Sequence, residues 1–252
     1  MKLIFALLLI PVIFTTLLAI ETFFARSGPK ENFKNPERII KKIGINEKKL
    51  KYMIIGDSTT AGQGAPYEKG IAIMTLNHLA KSYSVEMLNT SISGAVTKGL
   101  LDDQVKFIQE FKPDILLISV GGNNVTALTS KTKLQNELEA IIEKSLSINC
   151  TMKIVLTASP DMGSPPRLLQ PLRWLTGLYA NALNKTFFAI IEKYNLTLAP
   201  IAEKTGPIFR KDHSLFAADK FHPNEAGYAV WIAVINEALD KALKEQPSHC
   251  KK

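Results

Sequence analysis

Tyr52-Met53-Ile54-Ile55-Gly56-Asp57-Ser58-Thr59 joins four consecutive apolar residues to a turn that carries a serine. An apolar run without alternation is the pattern of a strand buried on both faces of a parallel sheet. Similar runs recur at 85–88, 115–120 and 154–157, with a weaker one at 196–198. Apolar residues at helical spacing lie between them, as at Ile71, Met74 and Leu79, at Leu100, Val105, Phe107 and Ile108, and at Leu134, Leu138, Ile141, Ile142 and Leu146. A last helix carries Tyr228, Trp231, Ile232, Ile235 and Leu239 on one face, with Asn224 placed to cap its start. This alternation predicts an α/β fold, a three-layer α/β/α sandwich around a parallel, five-stranded sheet. Ligands of such sheets gather at the carboxyl ends of the strands, so the residues just after each run carry the chemistry.

Three such segments stand out. Ser58 leaves the first run on a sharp turn, exposed beside backbone N–H groups. An ordinary Gly-Asp-Ser turn has the same composition, whereas a phosphate loop is disfavoured because the segment has no Gly-Lys-Ser/Thr ending. Gly121-Gly122-Asn123-Asn124 comes after the third run, where glycine permits a tight turn and an Asn amide can aim an N–H at a developing oxyanion; a plain polar turn reads the same way. Asp219-Lys220-Phe221-His222-Pro223 supplies a base and, three residues before it, a carboxylate to orient that base. His78 falls inside a helical pattern, His249 in the charged tail, and His213 beside an Asp that points elsewhere, so His222 is the preferred base.

Together, Gly56-Asp57-Ser58, Gly94, Gly121-Gly122-Asn123 and Asp219-x-x-His222-Pro223 resemble the four sequence blocks of the SGNH (GDSL-like) hydrolases, in the family's order and spacing, over about residues 51–243. The segments Pro160-Asp161-Met162-Gly163, Leu169-Gln170-Pro171-Leu172-Arg173, Phe216-Ala217-Ala218 and Asn224-Glu225-Ala226-Gly227-Tyr228 are similar to a bacterial subgroup of that family. The resemblance implies a flavodoxin-like fold and a serine ester hydrolase, esterase- or lipase-like, that works without metal or organic cofactor. Ser58 would be nucleophile, His222 base and Asp219 its orienter, with the Ser58 N–H, the Gly94 N–H and the Asn123 side chain as oxyanion hole. The family's third block usually ends in Asp where this chain has Asn124, and a catalytically idle relative that binds an acylated lipid or glycan is the alternative that this departure supports. Substrates in reach are small-molecule or lipid esters.

The chain has 252 residues, 46% hydrophobic and 21% charged, enough for one globular domain with a sizeable core. Its net charge of +8 suits anionic lipid or a merely lysine-rich surface; no basic stripe interleaved with aromatics points to nucleic acid. From Leu3 to Ile20 only Thr15 and Thr16 interrupt an apolar run long enough to cross a bilayer. Its length and the poor cleavage sites at Ala19 and Ala25 favour an anchor over a signal peptide. The expected organisation is an anchor over 1–25, a polar linker over 26–50 marked by Pro29 and Pro36, a hydrolase domain over 51–245 and a charged tail over 246–252. Arg26, Lys30, Lys34 and Arg38 after the span argue for a cytoplasmic domain. A short Met-Lys leader more commonly exports the domain behind it, so the side stays open, with export preferred and secretion after cleavage as an alternative. The 162–175 segment, rich in Pro and Leu, reads either as an acyl-binding wall or as a loop leading into a buried helix. Cys150 precedes the fourth strand, and the last helix should return Cys250 to that same end, where the two either pair or stay separate thiols.

Overall fold

The computed structural model describes residues 2–27, 33–35, 38–245 and 249–250, with side chains of the first helix from Ile10 onward. Pro29 and Pro36 of the expected linker lie outside the described residues. The strands are β1 (Ile39–Ile43), β2 (Lys49–Gly56), β3 (Ser84–Asn89), β4 (Ile115–Ser119), β5 (Lys153–Leu156) and β6 (Thr197–Leu198). They form one sheet in the order β1-β3-β2-β4-β5-β6. The five strands β2 to β6 are mutually parallel, as their unbroken apolar runs predict. The sixth, β1, pairs antiparallel with β3, with Ile39 opposite Asn89. This corrects the expected five strands and places a strand inside the stretch read as linker. Its sequence IIKKI alternates between half-buried and exposed positions. Such a strand has no continuous apolar run, and its lysines protect an exposed sheet edge.

Successive strand residues face opposite helical layers. Met53, Ile55, Leu116, Ile118, Ile154 and Leu156 point to one core. Tyr52, Ile54, Ile115, Leu117 and Val155 point to the other. The helices are α1 (Lys2–Ser27), α2 (Ser58–Ala61), α3 (Ile71–Leu79), α4 (Thr97–Gly99), α5 (Lys106–Phe111), α6 (Gly122–Thr126), α7 (Lys131–Ile148), α8 (Leu172–Lys193), α9 (Ile201–Lys211) and α10 (Glu225–Glu245), with a π-helical turn at Leu100–Gln104 joining α4 to α5. Helices α5, α7 and α8 cover the first core, and α3, α9 and α10 the second. Asn224 caps α10 through Gly227 N–H, which donates to Asn224 Oδ1 at 3.0 Å. From β2 the chain turns to β3 on one side and then to β4 on the other. The carboxyl ends of β2 and β4 therefore bound the crevice where α/β sheets bind ligands.

At the opposite end of the sheet, Cys150 and Cys250 form a disulfide with a Cα separation of 4.8 Å, resolving the open choice between paired and separate thiols. His249 donates its backbone N–H to Cys150 O (2.8 Å) and its ring Nε2–H to Tyr194 O (2.7 Å), so this part of the tail is docked.

The leader is helical, and one 18-residue window, Ile10–Ser27, is apolar enough to cross a membrane. Its last turns pack on the domain. Glu21 is buried and accepts Leu172 N–H at 2.8 Å, while Arg167 Nε–H donates to Ala25 O at 2.7 Å. The 162–175 segment divides between its two readings: Met162 and Leu168 are buried, whereas Leu169 and Trp174 are exposed.

Candidate active site

Two neighbouring strand ends build the site. Gly56 pairs with Ser119 across β2 and β4, and Asp57 N–H then donates to Ser119 O at 3.2 Å. Asp57 caps α2, its Oδ1 accepting Thr59 N–H (3.0 Å) and Thr59 Oγ1–H (2.8 Å). Ser58 thus begins a helix, where its backbone N–H is one of the donors the helix itself cannot satisfy. After β4, Gly121 takes φ +144°, and a Cβ there would stand 2.6 Å from Ser159 Cα, so the turn requires glycine. It delivers Asn123 into α6, where Nδ2 donates to Ala95 O at 3.1 Å. A primary amide has two N–H donors, and the second remains for a ligand.

The third part arrives from the far end of the chain. Phe216 and Pro223 form an isolated antiparallel bridge, and Ala217 N–H donates to His222 O, so the loop between them closes on itself. Gly64, at φ +96°, lets the segment after α2 approach that loop, since a Cβ would fall 2.9 Å from His222 Cβ. The consequence is a continuous hydrogen-bonded series. Ser58 Oγ lies 2.8 Å from His222 Nε2, and His222 Nδ1 lies 2.5 Å from Asp219 Oδ2. The other carboxylate oxygen of Asp219 accepts the backbone N–H groups of Phe221 (2.9 Å) and His222 (3.0 Å).

Electrostatics divides the two local acids. Burial opposes ionisation of Asp219, but its hydrogen bonds to the His222 ring and backbone, and to Phe221 N–H, outweigh burial and hold its carboxyl below the usual range. Burial pushes Asp57 up, against the bonds from Thr59 and the nearby His222 charge. The cleft of about 40 Å³ at Ser58 is lined also by Asn123, Met162, Phe221 and His222. It is the size for a few waters or a small acyl group.

Ser58, Asp219, His222 and Asn123 therefore meet as expected from their blocks. Gly94, at φ +81°, reaches the site less directly: it does not line the cleft, but precedes Ala95, whose carbonyl takes the Asn123 amide. The rejected histidines stand elsewhere. His78 bonds Asp240 at 3.0 Å, and His213 is exposed against the edge of Phe216.

Three supporting groups carried no sequence signal. Buried Gln104, in the π-helical turn, donates Nε2–H to Gly56 O (2.9 Å) and accepts Gly56 N–H (2.8 Å), clamping the residue two before the serine. Asn89 Nδ2 donates to Thr60 O at 2.8 Å. Glu137, buried, accepts the Thr97 hydroxyl, and that hydroxyl oxygen accepts from Asn124 Nδ2 at 2.9 Å. This accounts for Asn124. Its amide also donates to Thr129 Oγ1 (3.3 Å), while its carbonyl accepts Thr97 N–H (3.3 Å). A carboxylate there could not donate, and would bury a second acid one threonine away from Glu137.

Over 199 residues the chain is 28% identical to the GDSL-like esterase Rv1075c of Mycobacterium tuberculosis, covering 77% of this chain but only 63% of that protein's length. It is 24% identical over 174 residues to esterase TesA of Pseudomonas aeruginosa, covering 68% of this chain and 78% of TesA. The fold is similar to that of the psychrotrophic esterase EstA from Pseudoalteromonas sp., with TM-score 0.62, 22% identity, and coverage of 78% of this chain and 100% of that one. The model of the GDSL-like Lipase/Acylhydrolase family matches residues 54–230, the span from β2 into α10 that holds every group of the site, and the chain belongs to that family.

Proposed function

We propose that the protein is a carboxylic ester hydrolase that acts through an acyl-enzyme on Ser58. The observation that carries this reading is the continuous series from Ser58 Oγ through the His222 ring to Asp219. His222 Nε2 takes the serine proton as Oγ attacks the ester carbonyl carbon, and Asp219 holds the ring in the Nδ1–H tautomer and stabilises the imidazolium. The negative charge on the carbonyl oxygen is met by the Ser58 N–H and the second Asn123 N–H, and the family resemblance assigns the Gly94 N–H as third donor. Collapse expels the alcohol, which leaves with the proton from Nε2. Water then attacks the acyl carbon, loses a proton to Nε2, and the acid departs as Ser58 regains its hydrogen.

The same reading gives a location. An apolar leader that docks on its own domain suits an uncleaved anchor better than a discarded signal. The Cys150–Cys250 bond suits the exported side of the membrane, where disulfides persist.

The test is a fluorophosphonate reaction on the full chain in detergent, with peptide mapping of the label and turnover of p-nitrophenyl acetate measured alongside. Labelling at Ser58, lost together with turnover in Ser58→Ala, is the expected result. Undiminished hydrolysis by Ser58→Ala removes that residue from the mechanism.

A further inference from the structure

The cleft at Ser58 and an opening lined by α1 share Asn123 and Phe221 in their walls. The last turns of α1 dock at the start of α8, with Glu21 at Leu172 and Ala25 at Arg167, and Leu18 lines the same opening as Tyr179 and Ala182. Glu21 is the one acid in the α1 sequence, and it is buried on the α8 N-terminal turn rather than presented to solvent. A simple tether has no need of such a bond; it fixes α1 against the domain.

Between α1 on one side and α6 and α8 on the other lie two openings, of about 410 Å³ and about 500 Å³. Both are lined by Thr22, Val125, Leu128, Leu172 and Thr176, so they form one trough. The first opening is also lined by Asn123 and Phe221, which line the cleft at Ser58. The trough therefore leads from the oxyanion amide along α1 toward Leu18 and the exposed apolar turns before it, where Ile10, Val12 and Leu17 face outward. It is open and mostly apolar, with Arg26 and Arg167 lining the opening that Asn123 also lines. Leu128 is 74% exposed and is held at φ +52°, an uncommon conformation for a bulky side chain, while Trp174 and Leu178 are exposed on the α8 side. An exposed Trp suits the membrane–water interface.

We propose that this trough binds the acyl chain of a membrane-resident lipid ester, and that the anchor is thereby part of the acyl-binding site, with Thr22 a specificity-determining residue. The inference rests on ester hydrolysis at Ser58 as proposed above. The cleft itself holds only a small group, whereas the adjoining trough is about ten times larger, mostly apolar in exposed area, and opens beside the segment that is long and apolar enough to cross a bilayer. Helix α1 also lies outside the stretch matched to the family, so this wall belongs to the chain's own leader.

The experiment uses the full chain in vesicles of phosphatidylethanolamine and phosphatidylglycerol. Thr22→Trp fills the trough where its two openings meet, and Leu128→Asp puts a charge on its exposed rim without disturbing the core. In each variant the ratio of p-nitrophenyl laurate to p-nitrophenyl acetate turnover should fall at least tenfold. A ratio unchanged in both overturns the proposal. A second readout does not depend on turnover: Ser58→Ala protein in vesicles carrying phosphatidylglycerol with a diazirine in its acyl chain is irradiated and mapped. Crosslinks on the α8 residues Leu172 and Thr176, suppressed by Thr22→Trp, support the trough even if acetate hydrolysis fails and the esterase reading with it. Crosslinks confined to the outward face of α1, as any surrounding lipid would give, overturn the trough even if the esterase reading stands.

Discussion

The two ends of the sheet are built by opposite means. At the carboxyl ends of β2 and β4, buried polar side chains converge: Ser58, Asp219, Asn124 and Gln104 are each nearly inaccessible, and each is held by hydrogen bonds. At the amino ends, the cross-links are a covalent bond and surface-level contacts. There Cys150 joins Cys250, Asp114 Oδ2 accepts Lys51 N–H at 2.7 Å, and Asn149 Nδ2 donates to Pro113 O at 2.9 Å. One end places donors and acceptors in a fixed geometry at some cost in desolvation; the other restrains the chain without presenting any group to a ligand. With the proposed reaction at Ser58, function and restraint are spatially separated, and substitutions at the two ends should fail in different ways.

The largest expected effect is Asp219→Asn at the catalytic end. With the wrong His222 tautomer favoured, kcat on p-nitrophenyl acetate should fall by roughly 10⁴. Its stability should also lose an acid limb. A carboxyl depressed in the native state stabilises the fold above the unfolded value of about 3.9, and that contribution disappears as pH falls through the lower native value. Thermal unfolding of both proteins between pH 2 and pH 7 measures this, and parallel pH curves would contradict the depressed carboxyl. At the opposite end, Cys150→Ser should cost roughly 3–5 kcal/mol of unfolding free energy in the chain-entropy model, for a sequence separation of 100 residues. Activity per folded molecule at 25 °C should be unchanged, and a loss of kcat in the folded fraction would break the separation. Asn123→Ala should lose about 10²–10³ in kcat, the scale of one oxyanion donor, while still reacting with fluorophosphonate. The smallest effect belongs to Asn124→Asp, which should lower stability by about 1–3 kcal/mol for a buried polar group left unsatisfied. Glu137→Gln in the same chain should restore part of it; no recovery in denaturant unfolding would sever the link between the two residues.

How much of this was legible in the sequence depends on how local each signal is. The parallel strands announce themselves because burial on both faces needs a contiguous apolar run, as in Met53 to Ile55 or Leu116 to Ile118. The site was legible because each block combines a strand end with a residue of reactive type, and the fold joins strand ends that pair directly, as Gly56 does with Ser119. Strand β1 was not, because IIKKI at a sheet edge buries only alternate positions and passes for a polar connection. Gln104 was not, because its task is to hold the backbone of a residue 48 positions away, and nothing near it in sequence records that. Glu21 is similar: an acid within an apolar helix reads as the end of a span, and only the fold supplies Leu172, 151 positions on, as its partner. Asn124 read as a defect in a motif until Glu137 appeared behind Thr97.

The disulfide also has a mechanical consequence. It closes a covalent ring that contains Asp219 and His222, while Ser58 and Asn123 lie outside it. Along the covalent chain, tension applied between α1 and the residues around Cys250 would pass through the sulfur–sulfur link to Cys150, bypassing the backbone of residues 151–249. The loop carrying His222 would bear no covalent load, and a domain held by its leader, as proposed above, and pulled by its tail would keep His222 in register with Ser58 until elements before Cys150, such as α7 and β4, gave way.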